Sequence, residues 1–544
     1  MTDVSPTDLS VLHTPEPALG TSPGFAPLTP VTFLHRAEHA YRDRPAWSYE
    51  GERATYGEFA RSCRQLAALL ADLDVQPGDR VAVLAPNTPL LLSAHYAVPM
   101  AGAVLVALNT RLSAPELAGI VAHAGARVLL HDDELAELAG QLDAPTVLSA
   151  SEVDRRLASA GELDRAVSNE LRLLALNYTS GTTGRPKGVM YSHRGAYLQA
   201  LAMAFHSRLG MDSAYLWTLP MFHCNGWSFP WAVTAAGALH VCLRRPDAED
   251  IWRLVRSEGV TALHAAPTVL TSFAYSPRAD EGPLPRPLAV GTGGAPPSPA
   301  LIARLDALGV HVTHLYGLTE VYGPSVVNEN VPEWGELDAA ERARLMARQG
   351  TANVAGERVR VLELAADEEG AAAGPAVDVP ADGETIGEVA LHGNTVMLGY
   401  FQDADATAAA VPDGWFRSGD LAVMHPDGRV ELRDRAKDVI ISGGENIASI
   451  EVEQVLAAHP AVLEVAVVAA PHEKWGEVPV AFVTLKEGAD ADADDILESA
   501  RGSLARFKVP KAVHFGPLPK SGTGKILKYR LREPLWAGQE KRNH

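Results

Sequence analysis

The chain has 544 residues, of which 47% are hydrophobic and 21% are charged, and its formal net charge is −20. This length predicts two or more domains, each with a sizeable core. The acidic balance argues against a surface for nucleic acid or for anionic membranes, although it does not exclude an anionic cofactor.

After a loosely ordered arm predicted at residues 1–28, the hydrophobic pattern alternates between strand and helix. The predicted elements are, in chain order, a strand at 81–84, a helix at 90–100, a strand at 104–108, a helix and a strand within 116–130, a helix at 248–257, strands at 261–265 and 288–290, a helix at 299–308 and a strand at 310–315. Such alternation is typical of parallel sheets covered by helices on both faces. Functional residues are then expected in loops beyond the carboxyl ends of the strands.

The pattern changes in the last third of the chain. The predicted features are, in order, a charged segment with a surface helix at 328–350, a surface excursion at 365–382, antiparallel strands at 386–391 and 430–432, and a compact module with helices near 449–458 and 494–505 and strands at 462–468 and 480–485. A charged stretch at 434–438 interrupts the apolar pattern before that module. We place a hinge there, between a large domain at 29–433 and a small domain at 439–544.

The chain contains three cysteines, Cys63, Cys224 and Cys242, without the spacing of a disulfide framework or a metal site. Free thiols suit a reducing compartment. The polar N-terminus lacks the apolar core of a signal peptide, and no apolar run has the length of a membrane span, so we expect a cytoplasmic protein. Cys224 is interpreted as a buried small residue and not as a nucleophile, because no histidine–acid pairing of known order accompanies it.

Residues 178–195, YTSGTTGRPKGVMYSHRG, are the most informative segment of the chain. They contain a loop of hydroxyl residues and glycines followed by a lysine, and its members are Thr179, Ser180, Gly181, Thr182, Thr183, Gly184 and Lys187. Glycines let backbone amides approach an anion, hydroxyls donate to oxygens, and lysine adds a point charge. The loop therefore predicts a phosphate site, although Lys187 does not have the spacing of an ordinary P-loop.

Four further segments end predicted strands or turns with chemically suited residues. Residues 290–296, VGTGGAP, would let a flat base lie against backbone, and residues 316–320, YGLTE, offer an aromatic face, a hydroxyl and a carboxylate. Asp420 follows a glycine turn, where it would accept hydrogen bonds from a ribose diol, and Lys525 lies in a glycine loop at 519–526. Each alone has a bland explanation, as a turn acid, a core aromatic, a helix cap or a surface lysine, but their combination favours function.

In this order the segments resemble the adenylate-forming superfamily, which comprises acyl-CoA synthetases, adenylation domains of peptide synthetases and luciferases. The resemblance extends from about residue 30 to 535. Residues 221–227, MFHCNGW, and 109–112, NTRL, look most similar to medium- and long-chain fatty acyl-CoA ligases. The resemblance implies an α/β fold, with a large N-terminal domain of two αβαβα-type subdomains plus a β-barrel and a small mobile α+β C-terminal domain.

The resemblance also implies a two-step reaction that uses ATP, Mg²⁺ and CoA. A carboxylate attacks the α-phosphate of ATP, which gives an acyl-adenylate and pyrophosphate, and the thiol of CoA then displaces AMP. Both steps build negative charge on phosphoryl or carbonyl oxygens, so catalysis would consist largely of positioning and electrostatic stabilisation.

The resemblance further implies roles for individual residues in adenylation. The loop from Thr179 to Gly184 would grip the β- and γ-phosphates with help from Lys187. Thr319 would hold the α-phosphate, and Glu320 would bind Mg²⁺. Lys525 would reach both the carboxylate and the α-phosphate.

Other roles implied by the resemblance concern the nucleoside and CoA. The residues expected around adenine are Tyr316, Gly293, Gly294 and Ala295. Asp420 and Arg435 would hold the ribose. Lys437 would serve as the hinge, and the glycines that follow it, Gly443 and Gly444, would border the tunnel for the pantetheine arm of CoA.

The same resemblance places the acyl pocket at His223 and Trp227, with the histidine beside the reacting carboxylate and the tryptophan gating the tunnel. Gly291, Thr292 and Gly293 would complete the substrate site. This aromatic stretch contains no arginine or lysine to receive a second carboxylate, so we expect a hydrophobic monocarboxylic acid of fatty or bulky polycyclic type. An aromatic-rich core loop is the alternative interpretation.

The sequence leaves competing functions open. An ATP-dependent acid:CoA ligase is favoured, because no obvious insertion before Asp434 would restrain the C-terminal domain for carrier-protein loading. An acyl-AMP ligase that loads a carrier-protein phosphopantetheine is the alternative. A non-catalytic nucleotide-binding protein is disfavoured, because every expected catalytic position is filled. A homodimer is left open, and no nucleic-acid partner is expected.

Overall fold

The computed structural model describes residues 25–179, 186–293, 299–364, 376–435, 438–442, 445–472, 474–501, 503–520 and 526–537. The strands of these residues form sheets that we number I to IV. No helix within the described ranges has both the length and the apolar composition needed to cross a membrane.

Sheet I is parallel except for its last pair of strands. Its strands are, in spatial order, Thr146–Ser149, Ala126–His131, Arg80–Leu84, Val104–Ala107, Leu173–Thr179 and Lys187–Ser192. The accompanying helices are Tyr56–Asp72, Pro89–Met100, Ala114–Ala124, Ala136–Ala139 and Ala150–Leu157. Both faces of the sheet are covered, since Val81 and Val83 pack into one core and Ala82 and Leu84 into another.

The helices of sheet I begin where the sequence supplies capping residues. Thr55, Ser113 and Ser149 each form a capping box with the glutamate three residues later. The hydroxyl accepts from a backbone N–H of the first turn, and the glutamate accepts from the backbone N–H of the capping residue, so two otherwise unpaired donors are satisfied.

Sheet II contains a parallel centre with antiparallel edges. Its strands are, in spatial order, Thr351–Ala352, Gly323–Asn328, Val310–Leu318, Leu288–Gly293, Ala262–Ala265, Ala214–Leu216, Leu239–Val241, Pro45–Tyr49 and Glu52–Thr55. Its helices are Val31–Ala40, His193–His206, Phe229–Ala236, Ala248–Ser257, Pro267–Ala274, Pro299–Ala307 and Ala339–Met346. Leu263 and Val290 pack on one face, whereas Tyr215 and Trp217 join the core shared with sheet I.

Sheets III and IV complete the fold. The strands of sheet III are Arg360–Leu362, Gly387–Leu391, Phe416–Met424 and Val430–Arg435, and a helix lies at Ala404–Ala410. The strands of sheet IV are Glu445–Ile447, Ile440–Ser442, Gly476–Leu485, Val462–His472 and Val513–Phe515, with helices at Ser449–Ala457, Ala493–Arg501 and Lys528–Arg532. Sheet III is antiparallel, as predicted, and sheet IV has a separate core around Ile440 and Val467.

The predicted elements are confirmed, with differences at their ends. The helix Ala248–Ser257 has the predicted bounds. The strands predicted at 288–290 and 310–315 continue to Gly293 and Leu318. Residues 291–293 are held in the parallel ladder with the next strand, and residues 316–318 are held in the antiparallel ladder with Gly323–Asn328, which overcomes the low strand propensity of their glycines. Residues 365–375 of the predicted surface excursion lie outside the described ranges.

Candidate active site

The predicted phosphate loop joins the last two strands of sheet I. Thr179 pairs with Lys187 in the antiparallel ladder. The other loop residues that were predicted to bind phosphate, Ser180, Gly181, Thr182, Thr183 and Gly184, lie outside the described residues. The ends of the loop therefore sit at the carboxyl end of a strand, where open α/β sheets bind their ligands.

Tyr400 links the lysine of this loop to the predicted magnesium ligand. The Lys187 Nζ atom lies 4.6 Å from the centre of the Tyr400 ring, and the Tyr400 hydroxyl donates a hydrogen bond of 2.9 Å to Glu320 Oε1. Burial, followed by the charge of Glu320, raises the pKa of Tyr400, so the phenol stays a donor. One tyrosine thus fixes a cation and a carboxylate in the same site.

Thr319 and Glu320 lie in a short 3-10 turn directly after a strand of sheet II. Tyr191, on the strand after the phosphate loop, donates a hydrogen bond of 2.6 Å to the Thr319 carbonyl. Its ring stacks on Tyr322, which ends the turn with a φ of +64°. The turn with the two predicted catalytic residues is therefore attached to the phosphate-loop hairpin.

The predicted adenine and ribose residues meet between sheets II and III. The Tyr316 hydroxyl donates a hydrogen bond of 2.8 Å to Asp420 Oδ2, and both side chains are buried. Gly293 pairs with Leu315 next to this contact. A Cβ atom on Gly293 would lie 2.7 Å from the Leu315 carbonyl oxygen, so the position requires glycine. The structure thus brings the two predicted nucleoside residues together beside a glycine-lined strand end.

Several predicted residues are placed only in part or not at all. Arg435 pairs with Asp420 in the ladder of sheet III, but its side chain is not among the described ones. The predicted site residues outside the described ranges are Gly294, Ala295, Lys437, Gly443, Gly444 and Lys525. The loop that contains Lys525 is flanked by a bridge between Lys520 and Ile526. The roles of these residues stay predictions.

His223 and Thr319 border one small cavity of about 30 Å³, together with Tyr178 and Asn109. The Cys224 thiol lies between them, 3.8 Å from His223 Nε2 and 3.3 Å from Thr319 Oγ1. Burial raises the pKa of Cys224 to about 12. The thiol is therefore protonated at neutral pH, which agrees with its interpretation as a buried small residue.

Residues 224–228 form a turn in the left-handed helical conformation. The φ angles of Cys224, Asn225, Gly226, Trp227 and Ser228 are +49°, +48°, +56°, +54° and +65°. A left-handed conformation costs a residue other than glycine about 1–2 kcal/mol. Contacts from elsewhere in the fold must offset this cost, and such local strain is often found at functional sites.

Trp227 is buried between glycines of two strands. A Cβ atom on Gly323 would lie 2.8 Å from the Trp227 ring, and one on Gly293 would lie 3.2 Å from it. The indole forms an edge contact with His264 at 6.0 Å. The two glycines therefore make the space that the tryptophan occupies, and the structure joins the predicted gate to the predicted adenine-side glycine.

His264 forms a second wall beside Trp227. Its ring covers Gly291, where a Cβ atom would lie 2.1 Å from the imidazole. Burial lowers the pKa of His264 to about 3, so the ring is neutral, and its Nδ1 atom has no hydrogen-bond partner within the described residues. Successive strand residues point to opposite faces, so the Thr292 side chain points away from this wall.

Sequence reasoning missed three side chains of this site, Tyr191, Tyr400 and His264. No local signal marks Tyr400, because its partner Glu320 lies 80 residues away in the chain. His264 had a weak signal, since it is a polar residue inside a predicted apolar strand.

The residues fit a Mg²⁺ ion that is bound together with phosphate. Magnesium usually takes one or two carboxylates plus substrate phosphate oxygens. Glu320 supplies a hard anionic oxygen that Tyr400 orients, and Lys187 lies over the face of the same ring.

Comparisons with known proteins identify the family of the chain. The family model described as AMP-binding enzyme matches residues 34–401, and the one described as AMP-binding enzyme C-terminal domain matches residues 451–525. The acetate/butyrate–CoA ligase of Arabidopsis thaliana, named as peroxisomal, is 40% identical over 93% of this chain and 94% of its own length. The trans-cinnamate:CoA ligase of Petunia hybrida, also named as peroxisomal, is 39% identical over 94% of each chain.

Solved structures show the same architecture. The fatty acyl CoA synthetase of Mycobacterium tuberculosis has a TM-score of 0.71 and 30% identity over 94% of this chain and 99% of that chain. ATP-bound MatB of Rhodopseudomonas palustris has a TM-score of 0.80 and 27% identity over 93% of this chain and 98% of that chain. The α/β fold and the small C-terminal domain implied by the sequence are thereby confirmed. With matches that span both its parts, the chain belongs to the AMP-binding enzyme family, the adenylate-forming enzymes that its motifs resemble.

Proposed function

We propose that this enzyme is an AMP-forming acid:CoA ligase, which converts a hydrophobic monocarboxylic acid, ATP and CoA into an acyl-CoA, AMP and pyrophosphate. The observation that carries the proposal is the meeting of Lys187 and Glu320 at Tyr400, next to Thr319 and the cavity of His223. A cation, a carboxylate and a hydroxyl from two sheets lie near one another here, which suits a reaction that builds charge on phosphoryl oxygens. The names of the plant relatives as CoA ligases support the same reaction class.

In the adenylation step, the carboxylate of the acid attacks the α-phosphorus of ATP and pyrophosphate leaves. Thr319 would donate to an α-phosphoryl oxygen, and the bond from Tyr191 to its carbonyl holds that residue in place. Lys187 would balance the charge of the departing phosphates. Glu320 would hold Mg²⁺, which when bound supplies charge neutralisation on the phosphates. Lys525 stays the predicted cation at the reacting carboxylate.

In the thioester step, the thiol of CoA attacks the acyl carbonyl and AMP departs. The Asp420 carboxylate, oriented by Tyr316, would hold the ribose of the adenylate through both steps. Gly443 and Gly444 would border the path of the pantetheine arm. We further propose that the small domain turns about residues 434–438 between the steps, a segment that includes the end of sheet III and precedes the first strand of sheet IV.

The acid is proposed to have a short chain or a flat ring as its hydrophobic part, which differs from the fatty or bulky polycyclic type expected from the sequence. Trp227 and the ring of His264 stand directly against the glycines at 291, 293 and 323, so little depth is left behind them. Both walls are uncharged, since burial keeps His264 neutral, and neither would pair with a second carboxylate. Relatives named for acetate, butyrate and trans-cinnamate act on such compact acids.

The deciding experiment incubates the full chain with ATP, Mg²⁺ and a panel of short straight-chain, long straight-chain, aryl and polycyclic acids. Products are read by mass spectrometry with CoA, without CoA, and with a phosphopantetheinylated carrier protein. We expect pyrophosphate release and acyl-CoA with compact acids. Adenylate that reaches the carrier protein but not CoA would support the loading alternative. Absence of pyrophosphate release with every acid would contradict the catalytic function.

The cytoplasm is proposed as the location, because Cys63, Cys224 and Cys242 are free and buried thiols that suit a reducing compartment. The plant relatives are named as peroxisomal, and imaging of a fluorescent fusion in the native host would distinguish the two compartments. A homodimer stays a prediction that light scattering of the purified protein would test.

A further inference from the structure

The left-handed turn at residues 224–228 requires support from outside itself. Only one of its five positions is glycine, and the remaining residues adopt a conformation that L side chains disfavour. Asparagine tolerates this conformation better than cysteine, tryptophan or serine. Asn225 is therefore the residue through which the fold would most readily hold the turn.

Asn225 makes three hydrogen bonds with two buried residues. Its backbone N–H donates a hydrogen bond of 3.1 Å to Asn177 Oδ1, and its Oδ1 accepts one of 2.7 Å from Asn177 Nδ2. Its Nδ2 donates one of 3.1 Å to His95 Nε2. All three residues are buried, where a lost partner costs more than at the surface.

His95 is fixed in the state that this arrangement needs. Its Nδ1–H donates a hydrogen bond of 2.7 Å to the Leu91 carbonyl, which leaves Nε2 as the acceptor for Asn225. The indole of Trp231 donates to the His95 carbonyl at 3.2 Å. The far end of the network is thus anchored in a helix of sheet I and in the helix that follows the turn.

The network connects the two ends of the site. Asn177 lies on the strand that ends at Thr179, where the phosphate loop begins. Asn225 lies between His223 and Trp227, the residues at the reacting carboxylate and at the acyl wall. A change at Asn225 is therefore expected to displace the tryptophan from its place between Gly293 and Gly323. It would also leave Asn177, on the strand that leads into the phosphate loop, without a buried partner.

We propose that Asn225 is a positioning and specificity-determining residue, which through Asn177 and His95 holds Trp227 in the acyl pocket and ties that wall to the phosphate-loop strand. The inference rests on the proposed function, since it assumes that Trp227 limits the acid.

The test measures kcat and KM for each acid of the panel and for ATP with the wild type, Asn225→Ala and Trp227→Ala. We expect Asn225→Ala to shift the ratio of kcat/KM between a larger and the best compact acid by about tenfold toward the larger acid, and to raise KM for ATP. In the Trp227→Ala background, the same substitution should change the ratio no further. Asn328→Ala is the matched control, because Asn328 is also a buried asparagine, with bonds to two backbone carbonyls at 345 and 346; it should lower stability and leave the ratio unchanged.

A second variant keeps the proposal testable if Asn225→Ala does not fold. His95→Leu removes the acceptor of Asn225 Nδ2 together with the bond to the Leu91 carbonyl, whereas His95→Gln restores an acceptor. The first variant should therefore shift the acid ratio, and the second should return it toward the wild-type value. An unchanged acid ratio in Asn225→Ala and His95→Leu, combined with a shifted ratio in Trp227→Ala, would overturn this inference alone. Absence of activity in the wild type would instead overturn the proposed function.

Discussion

The nucleotide end and the acyl end of this site are built in different ways. At the nucleotide end, polar side chains from distant segments bind one another, as in the contacts of Tyr400 with Glu320 and of Tyr316 with Asp420. At the acyl end, the backbone conformation sets the shape of the wall, and buried side chains hold that conformation. A left-handed turn presents Trp227, and glycines leave the space for it.

The difference teaches which property a substitution should change. Under the proposed function, charge and hydrogen bonds at the nucleotide end act on the transition state of adenylation, so their loss should lower kcat for every acid. Shape at the acyl end acts differently on different acids, so its loss should change the ratio between acids. Substitutions that follow this rule sharpen the comparison, and those that do not would break it.

A large effect on kcat for every acid is expected for Glu320→Gln. The substitution keeps the shape and removes the anionic oxygen that a hard cation prefers. We expect kcat to fall by about 100-fold or more for every acid, with a raised Mg²⁺ requirement and an unchanged urea midpoint. Turnover close to that of the wild type at low Mg²⁺ would remove Glu320 from the metal site.

Lys525→Ala and Gly444→Leu should separate the two half-reactions. Lys525→Ala is expected to abolish ATP-dependent adenylate formation but to convert supplied acyl-adenylate into thioester. Gly444→Leu should do the reverse, because its side chain would obstruct the pantetheine path. Pyrophosphate release with ATP measures the first step, and thioester formation from supplied acyl-adenylate and CoA measures the second. Equal impairment of both steps in both variants would contradict a small domain that serves them in turn.

Tyr400→Phe should have a smaller effect of the same kind. The variant keeps the ring near Lys187 and loses only the hydroxyl that orients Glu320, and loss of such an outer partner typically costs about 10- to 100-fold in activity or metal affinity. Titration of Mg²⁺ against initial rate measures it. Tyr56→Phe serves as the control, because it also removes a buried hydroxyl, one that donates to the Ala238 carbonyl. If both variants behave alike, Tyr400 is structural.

Trp227→Ala should change selectivity more than rate. We expect the ratio of kcat/KM for a longer or wider acid to that for the best compact acid to rise about tenfold, with little change in KM for ATP. Trp334→Ala is the matched control, since both tryptophans are 8% exposed and Trp334 lies outside the site. An unchanged acid ratio in Trp227→Ala would return Trp227 to the core.

The sequence predicted the nucleotide end better than the acyl end, for a physical reason. Thr319 and Glu320 follow the end of a strand, whereas Lys187 begins a strand and Asp420 lies within one, although the sequence predicts a glycine turn before it. All four lie in motifs of unusual composition, so their residue types indicate a candidate chemistry. The partners that orient them, such as Tyr400, are ordinary residues far away in the chain. At the acyl end, positive φ angles over consecutive residues depend on buried contacts with other segments and leave no local signal.

The fold should also be sensitive to acid through its buried histidines, of which His95 and His264 lie at the acyl end and His193 and His314 lie elsewhere. This effect is the smallest at neutral pH. Burial lowers the pKa of His95 to about 4 and the pKa values of His240 and His264 to about 3, from an ordinary value of 6.5. Between pH 6.5 and these lowered values, the unfolded chain binds protons that the folded chain does not. The free energy of unfolding therefore falls as the pH drops below 6.5, by up to about 1.4 kcal/mol per pH unit for each histidine. Urea unfolding followed by tryptophan fluorescence should report it, because His95 lies against Trp231 and His240 against Trp217.

His264→Leu removes one of these histidines, so the slope of the free energy of unfolding against pH should decrease by the contribution of about one proton. The same slope in the wild type and in His264→Leu would mean that His264 is not held neutral in the folded state.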